Sequence, residues 1–324
     1  MGGFIEWRNR SIFNTNSNFS TKFLIGFPWE TNFNLPRLRY DIGFDTNWIL
    51  GIRWPTKLNS FYETLINYDQ ENIDQVERYG LEMLQRVMLD ERSYFQNITV
   101  WENFSDNSVD AMDTSGALNT IISVKNLQQR SLSFRLHIDK KDDPLFPKKG
   151  FLLDLYFKST GYLLGGERDY YKLDFSFQKY FKLSRKSVLA TRFKFGRLWS
   201  WEDSYLDYSY EKFYLGGSAN MRGWDILKYS TTNNLGDVPL GGTFRYLTNI
   251  EFRNQLNQNL GMYLFFDGGI LSEDFDRLIK SRLGWDIGLG LTISTPLGPV
   301  RLDYAIPSIN NEAVSYTHLT LPTN

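Results

Sequence analysis

The chain has 324 residues, no cysteine, 23% charged and 16% aromatic residues, a formal net charge of -1 and a mean hydropathy of -0.38. This balance excludes a self-repelling disordered chain and offers no basic excess for nucleic acid, while the missing cysteines exclude a disulfide scaffold and thiolate metal sites. The longest apolar run, Met262 to Phe266, is five residues; a membrane-spanning helix needs about 20, so a helical membrane protein is excluded.

A transmembrane β-barrel survives these exclusions, because its strands need an apolar residue only at every second position, the others facing the lumen. Period two is therefore the test. In chain order, strands are expected at 3–9, 20–29, 36–44, 48–54 and 60–68, carried by runs such as Leu38, Tyr40, Ile42, Phe44 and Trp48, Leu50, Ile52, Trp54 with polar or glycine neighbours. Between 76 and 88, Val76, Tyr79, Met83, Leu84 and Val87 recur at spacings of three and four, which favours a helix, so 78–89 is the strand candidate expected to fail. Further strands follow at 94–103, 117–125 and 131–139. Past Gly150 the alternation sharpens. Phe151, Leu153, Leu155 and Phe157 oppose Asp154 and Lys158; Tyr171, Leu173, Phe175 and Phe177 oppose Lys172, Asp174, Ser176 and Gln178. The same segregation marks 189–196, 244–252, 285–294 and 300–306. Polar clusters at 105–116, 199–210, 225–237 and 270–282 read as loops, whereas Asp142 to Lys149 and Asn254 to Asn259 read as turns. Long connections alternating with short ones fit a barrel whose two ends face different compartments. A soluble antiparallel β protein shares one apolar face. About 16 strands of about 10 residues need roughly 160 residues, half of this chain, which leaves room for loops.

The stretch Phe213-Tyr214-Leu215-Gly216-Gly217-Ser218-Ala219-Asn220-Met221-Arg222-Gly223-Trp224 resembles the loop signature of the BamA/TamA superfamily of outer-membrane assembly and translocation barrels (bacterial surface antigen superfamily): Gly-Gly, then hydrophobic-Arg-Gly-aromatic. Four other segments match that family in order. His137-Ile138-Asp139-Lys140-Lys141-Asp142-Asp143-Pro144, continuing to Pro147 and Gly150, resembles its periplasmic turn. Asn249-Ile250-Glu251-Phe252, Phe265-Phe266-Asp267-Gly268-Gly269 and Gly288 through Ala305 resemble its last strands. The match is firm over roughly 130–307, and Glu6 to Phe13 is similar to the first barrel hairpin.

The resemblance implies an all-β, transmembrane antiparallel barrel on a 16-stranded plan, with 1–312 as the barrel domain in the outer membrane. On that plan six strands precede residue 117, and fifteen strands are expected in all. The resemblance also implies that the loop folds into the lumen, where Arg222 meets acids. By alternation Glu251 shares a face with Arg245 and Asn249, and Asp267 shares one with Tyr263 and Phe265, so both point inward. One guanidinium carries five forked donors and can bridge two carboxylates; Gly216, Gly217 and Gly223 would let the backbone pack closely. A lone Arg beside glycine is otherwise an ordinary solvated charge.

Catalytic chemistry is nearly absent. With only His137 and His318 and no cysteine, neither a triad nor a His-rich metal site can be assembled, so no enzyme activity and no cofactor is expected. His137 reads as a lumen hydrogen-bonding group, and Asp142 and Asp143 as turn formers. The family implies insertion or translocation of β-rich proteins. Its partners would be outer-membrane lipid, unfolded β-barrel clients and, through upstream POTRA repeats, accessory assembly lipoproteins; no nucleic acid is expected. Alternatives are a secretion transporter passing polypeptide through the lumen and a passive structural pore. The chain begins almost on its first strand, without POTRA repeats, and 313–324 reads as a non-native tail replacing the closing strand.

Overall fold

The computed structural model describes residues 2–12, 17–26, 37–49, 52–68, 73–106, 109–110, 121–122, 125–200, 211–227, 229, 241–257, 259–272, 283–295 and 298–308. The strands in chain order are β1 (Gly2–Asn9), β2 (Ser17–Gly26), β3 (Arg37–Ile49), β4 (Ile52–Tyr68), β5 (Ile73–Met88), β6 (Tyr94–Asp106), β7 (Val109–Asp110), β8 (Ile121–Ile122), β9 (Lys125–Asp139), β10 (Gly150–Thr160), β11 (Tyr170–Lys182), β12 (Ser187–Trp199), β13 (Phe244–Gln255), β14 (Leu260–Ser272), β15 (Gly284–Thr295) and β16 (Gly298–Pro307). Fourteen of them form one antiparallel sheet in the order β1 to β6, then β9 to β16, and the two-residue strands β7 and β8 pair separately as a ribbon. This is an up-and-down transmembrane β-barrel, the fold class that the alternation allowed and the resemblance implied.

The wall follows the period-two pattern. On β15, Trp285, Ile287, Leu289, Leu291 and Ile293 are exposed on the outside, while the intervening Asp286 is fully buried. Leu264 is exposed on β14, and its neighbours Tyr263 and Phe265 are buried in the lumen. Between β10 and β11, Leu153 lies opposite Phe177 and Leu155 opposite Phe175, so the apolar residues of both strands share the outer face. Facing inward from the same pair, Asp154 accepts hydrogen bonds from Arg135, and its carboxylate lies 2.8 Å from His137 Nδ1. Histidine 137 thus has the lumen hydrogen bond expected of it, and its ring also stacks on Tyr94.

The N-terminal half differs from the sequence expectation. Residues 73–88 are strand β5, not helix; they pair with β4 on one side and β6 on the other. The outward set is Tyr79, Leu81 and Val87, and the lumen set includes Arg78, which ion-pairs with Glu63 and Glu102. Leu84 on the polar side and Gln85 on the apolar side blur the period and mimic helical spacing. Two saturated ladders decide the outcome, because in a barrel wall every backbone group bonds to a neighbouring strand. The segments at 36–44, 48–54 and 60–68 fall on two long strands, β3 and β4, paired antiparallel as far as Ile49 and Ile52. No separate strand spans 117–125 among the described residues: Ile121 and Ile122 belong to the ribbon, and β9 pairs directly with β6. Six strands of the sheet precede residue 117, as expected, although among the described residues the sheet has fourteen where fifteen were anticipated.

The turn between β9 and β10 explains its own composition. Asp142 Oδ1 accepts from the backbone N–H groups of Asp143, Lys148 and Lys149 at 2.9–3.1 Å, and Asp143 Oδ1 accepts from those of Leu145 and Phe146. Asp139 caps the N–H of Lys141. Pro144 is exposed and Pro147 buried. Gly150 has φ 102° and sits where an added Cβ would lie 2.1 Å from the Lys140 carbonyl oxygen, so only glycine fits.

The lipid-facing assignment of β15 has a measurable consequence. Leu289→Arg, at mid-strand, should destabilise the barrel in vesicles by about 2–4 kcal/mol, whereas Leu183→Arg, at the exposed β11–β12 turn, should cost about 0–1 kcal/mol. Urea unfolding of the two variants in the same lipid measures the contrast, and equal costs would contradict the assignment.

Candidate functional site

Strands β12 and β13 are joined by residues 200–243, of which 200, 211–227, 229 and 241–243 are described. Its described part packs against the inside of the wall. Leu215, Met221, Trp224 and Tyr229 bury themselves against Tyr170, Leu198, Leu247 and Leu271 of the surrounding strands. Small residues in the wall make the room: a Cβ on Gly269 would lie 2.6 Å from Met221 Sδ, and one on Gly196 would lie 2.7 Å from the Phe213 ring.

Within the loop, Gly216 and Gly217 adopt φ of 109° and 90°, and the Gly217 N–H donates to the Trp224 carbonyl at 2.9 Å. The left-handed pair turns the backbone so that 217–224 closes into a compact loop that carries Arg222. Gly223 serves differently. Its N–H donates to Asp286 at 3.1 Å, and a Cβ there would lie 2.8 Å from that of Asp286, so glycine allows the loop to touch the β15 wall.

Arg222, 3% exposed, reaches two strands. Its Nε and Nη2 donate to the two oxygens of Asp267 on β14 at 2.8 and 2.7 Å, and Nη1 donates to Glu251 on β13 at 2.8 Å. The Arg222 backbone N–H also donates to Asp267, at 3.2 Å. The guanidinium lies 3.6 Å from the centre of the Phe265 ring. Bidentate, charge-assisted bonds of this kind are stronger than neutral ones, and here they are withdrawn from water. Burial by itself would make Arg222 less basic; the hydrogen bond and charge of Asp267 outweigh it and raise the pKa above the ordinary arginine value.

The acids are themselves held. Glu251 accepts from Arg253 at 2.7 Å and from Arg301 on β16 at 3.0 Å. Asn249 donates to Asp267 at 2.6 Å and to the Asn220 carbonyl at 2.7 Å, and Arg192 on β12 donates to Asn249 and to the Ala219 carbonyl. The register places Asn249 opposite Asp267 and Asp267 opposite Asp286. Arg222, Glu251, Asp267, Gly216, Gly217 and Gly223 are thus brought together in one place, while Asp139, Asp142, Pro144, Pro147 and Gly150 belong to the β9–β10 turn. Asp286, Asn249, Arg301 and Arg192 join the cluster, although the sequence had not marked them as part of the latch. Inward-facing polar residues on the neighbouring strands were the signal that pointed to them. Glu211, another loop acid missed in the sequence, meets Lys158 and Lys172. His318 and the segment 313–324 lie outside the described residues. A cavity of about 220 Å³ borders the cluster between Arg192, Ala219 and Arg301. Among the described residues no group of three or more His, Asp or Glu is placed to hold a metal ion.

Comparison with known proteins agrees with this architecture. Residues 13–317 match the Omp85 superfamily domain. The chain is 27% identical over 197 residues to the outer membrane protein assembly factor BamA of Nitratidesulfovibrio vulgaris, covering 57% of this chain and 24% of that protein. It is 34% identical over 195 residues to the sorting and assembly machinery component 50 homolog of Xenopus tropicalis, covering 55% of this chain and 41% of that one. The chain therefore spans well under half the length of these curated relatives. Among solved structures, BamA from Haemophilus ducreyi lacking POTRA domains 1-3 superposes with a TM-score of 0.75 at 15% identity, covering 98% of this chain and 66% of that one. CdiB from Acinetobacter baumannii gives 0.56 at 12% identity, covering 98% and 55%. The matched domain, the fold and the relatives agree: this chain is an outer-membrane β-barrel belonging to the Omp85 superfamily.

Proposed function

We propose that this barrel inserts or translocates β-barrel client proteins at the outer membrane through a lateral seam, with the Arg222 loop latched inside the lumen. It acts without catalysis or cofactor. Its partners on this reading are outer-membrane lipid and unfolded β-barrel clients, with accessory lipoproteins engaged through POTRA repeats of a longer protein. The family membership supports the reading, as do relatives named as assembly factors from a bacterium and a vertebrate.

The physical mechanism needs only backbone chemistry. Unpaired N–H and C=O groups in hydrocarbon are very costly, so a barrel whose terminal strands pair poorly holds a reactive edge that an incoming strand can satisfy. Strands β1 and β16 end the hydrogen-bonded order of the sheet, and every residue of β1 is exposed. A client strand laid along such an edge gains a full ladder of bonds and presents its own outer edge to the next strand. Binding energy released by the client's own folding drives the process, and no nucleotide is required.

The observation that carries the latch is the bond set of Arg222, which ties a loop to β13 and β14 close to β16. In this reading the latch keeps the lumen closed and the C-terminal strands in register while the seam works. Removing one partner from a buried ion pair leaves its acids uncompensated, which typically costs several kcal/mol. Arg222→Ala should therefore lower stability in lipid by about 3 kcal/mol and slow client folding into vesicles at least tenfold. Folding of an unfolded β-barrel client, followed by heat-modifiable gel mobility, measures the second effect. Full activity of the Arg222→Ala protein removes the latch from the mechanism.

A further inference from the structure

The loop is held at a second place, on β10 and β11 rather than on β13 and β14. Glu211 lies just ahead of the Gly-Gly segment and is largely buried. Its Oε1 accepts from Lys158 Nζ on β10 at 2.7 Å and from the Tyr170 hydroxyl on β11 at 2.9 Å. Its Oε2 accepts from Lys172 Nζ on β11 at 3.1 Å, and that ammonium also donates to the Glu211 backbone carbonyl at 2.7 Å. Two residues on, the Phe213 ring lies between two cations, 5.0 Å from Lys172 Nζ and 4.7 Å from the Arg245 guanidinium. Burial alone would raise the Glu211 pKa, but the Lys158 and Lys172 charges outweigh it and hold the carboxyl well below its usual range. Glu211 is therefore an ionised carboxylate with donors on two strands.

The two attachments lead to different parts of the wall. From Glu211, polar contacts run through Tyr170 to Gln129 on β9 at 3.1 Å, from Gln129 to Glu102 on β6 at 2.7 Å, and on through Arg78 to Glu63 on β4. From Arg222 they run through Glu251 to Arg301 on β16. One chain of contacts reaches towards β1, the other towards the far end of the sheet.

We propose that Glu211 is a positioning residue that forms a second, independent latch on the same loop, so that the loop braces the β4–β11 side of the barrel against the β13–β16 side across the lumen. This deepens the functional reading above and rests on it for its role: with two anchors, the loop can be released from one flank while remaining fixed to the other. Arg222 would then set the register of the C-terminal strands, and Glu211 would carry the position of the loop to the N-terminal half.

The test is backbone hydrogen exchange of the folded barrel in vesicles, without client, so that it stands or falls separately from insertion activity. Glu211→Gln keeps the shape but removes the charge. It should accelerate exchange in peptides covering 211–217 at least tenfold and leave 219–227 at the wild-type rate. Arg222→Lys should do the reverse, because it loses the fork that spans Asp267 and Glu251. Glu211→Asp, which retains the charge, should restore most of the protection at 211–217. If Glu211→Gln fails to give a heat-modifiable barrel, Lys172→Met, which removes two of the bonds, is read in its place and should accelerate 211–217 alone. Acceleration of both segments together by either substitution would show a single cooperative latch and overturn the proposal, as would unchanged exchange at 211–217 in Glu211→Gln or Lys172→Met.

Discussion

Backbone polarity in hydrocarbon is the constraint from which the rest of this molecule follows. Every N–H and C=O that crosses the membrane must be bonded within the wall. That requirement turns a sequence with no long apolar run into a membrane protein: fourteen strands pass their unsatisfied groups to neighbours, and only alternate side chains have to be greasy. It also overrides local preference. The stretch 73–88 has helical spacing, yet it is a strand because β4 and β6 offer ladders on both sides.

The same alternation that greases the outside places charge on the inside. A lumen lined with Arg, Lys, Asp and Glu would be a water-filled pore were nothing to meet those charges. Here they meet one another and the β12–β13 loop. Arg222 contacts two acids on adjacent strands, and Glu211 accepts from donors on β10 and β11. A buried ion pair contributes little net stability compared with an apolar replacement, but it is intolerant of losing a partner. Such pairs therefore specify where the loop lies more than they add to the strength of the barrel.

Much of this was legible in the sequence, for definite reasons. Alternation is a one-dimensional signal, so the outer faces of β10, β11 and β15 could be read directly, and the inward direction of Glu251 and Asp267 followed from parity. The loop's glycines and Arg222 were legible only through their resemblance to the family's loop signature, because by composition alone an Arg beside glycine reads as a solvated charge. What was not legible required knowledge of register. That Asn249 faces Asp267, and Asp267 faces Asp286, depends on how strands slide past one another, which no single strand encodes. Glu211 escaped notice because an acid in a polar loop looks solvated until the lysines of β10 and β11 are placed beside it. In the N-terminal half, Leu84 and Gln85 broke parity by one residue each, and two long strands looked like three short ones because the sequence between β3 and β4 carries little turn composition.

On the proposed function, clients enter through the seam between β1 and β16. The chain has no native cysteine, so Ile5→Cys on β1 and Leu302→Cys on β16 can be joined without competing thiols, by a short bis-maleimide linker or, where geometry permits, a disulfide. Client folding into vesicles should fall to the protein-free rate when the two strands are joined and recover on reduction of the disulfide, with either single-cysteine protein unaffected. Undiminished client folding by a protein shown to be fully cross-linked would contradict the account and direct attention to the lumen instead.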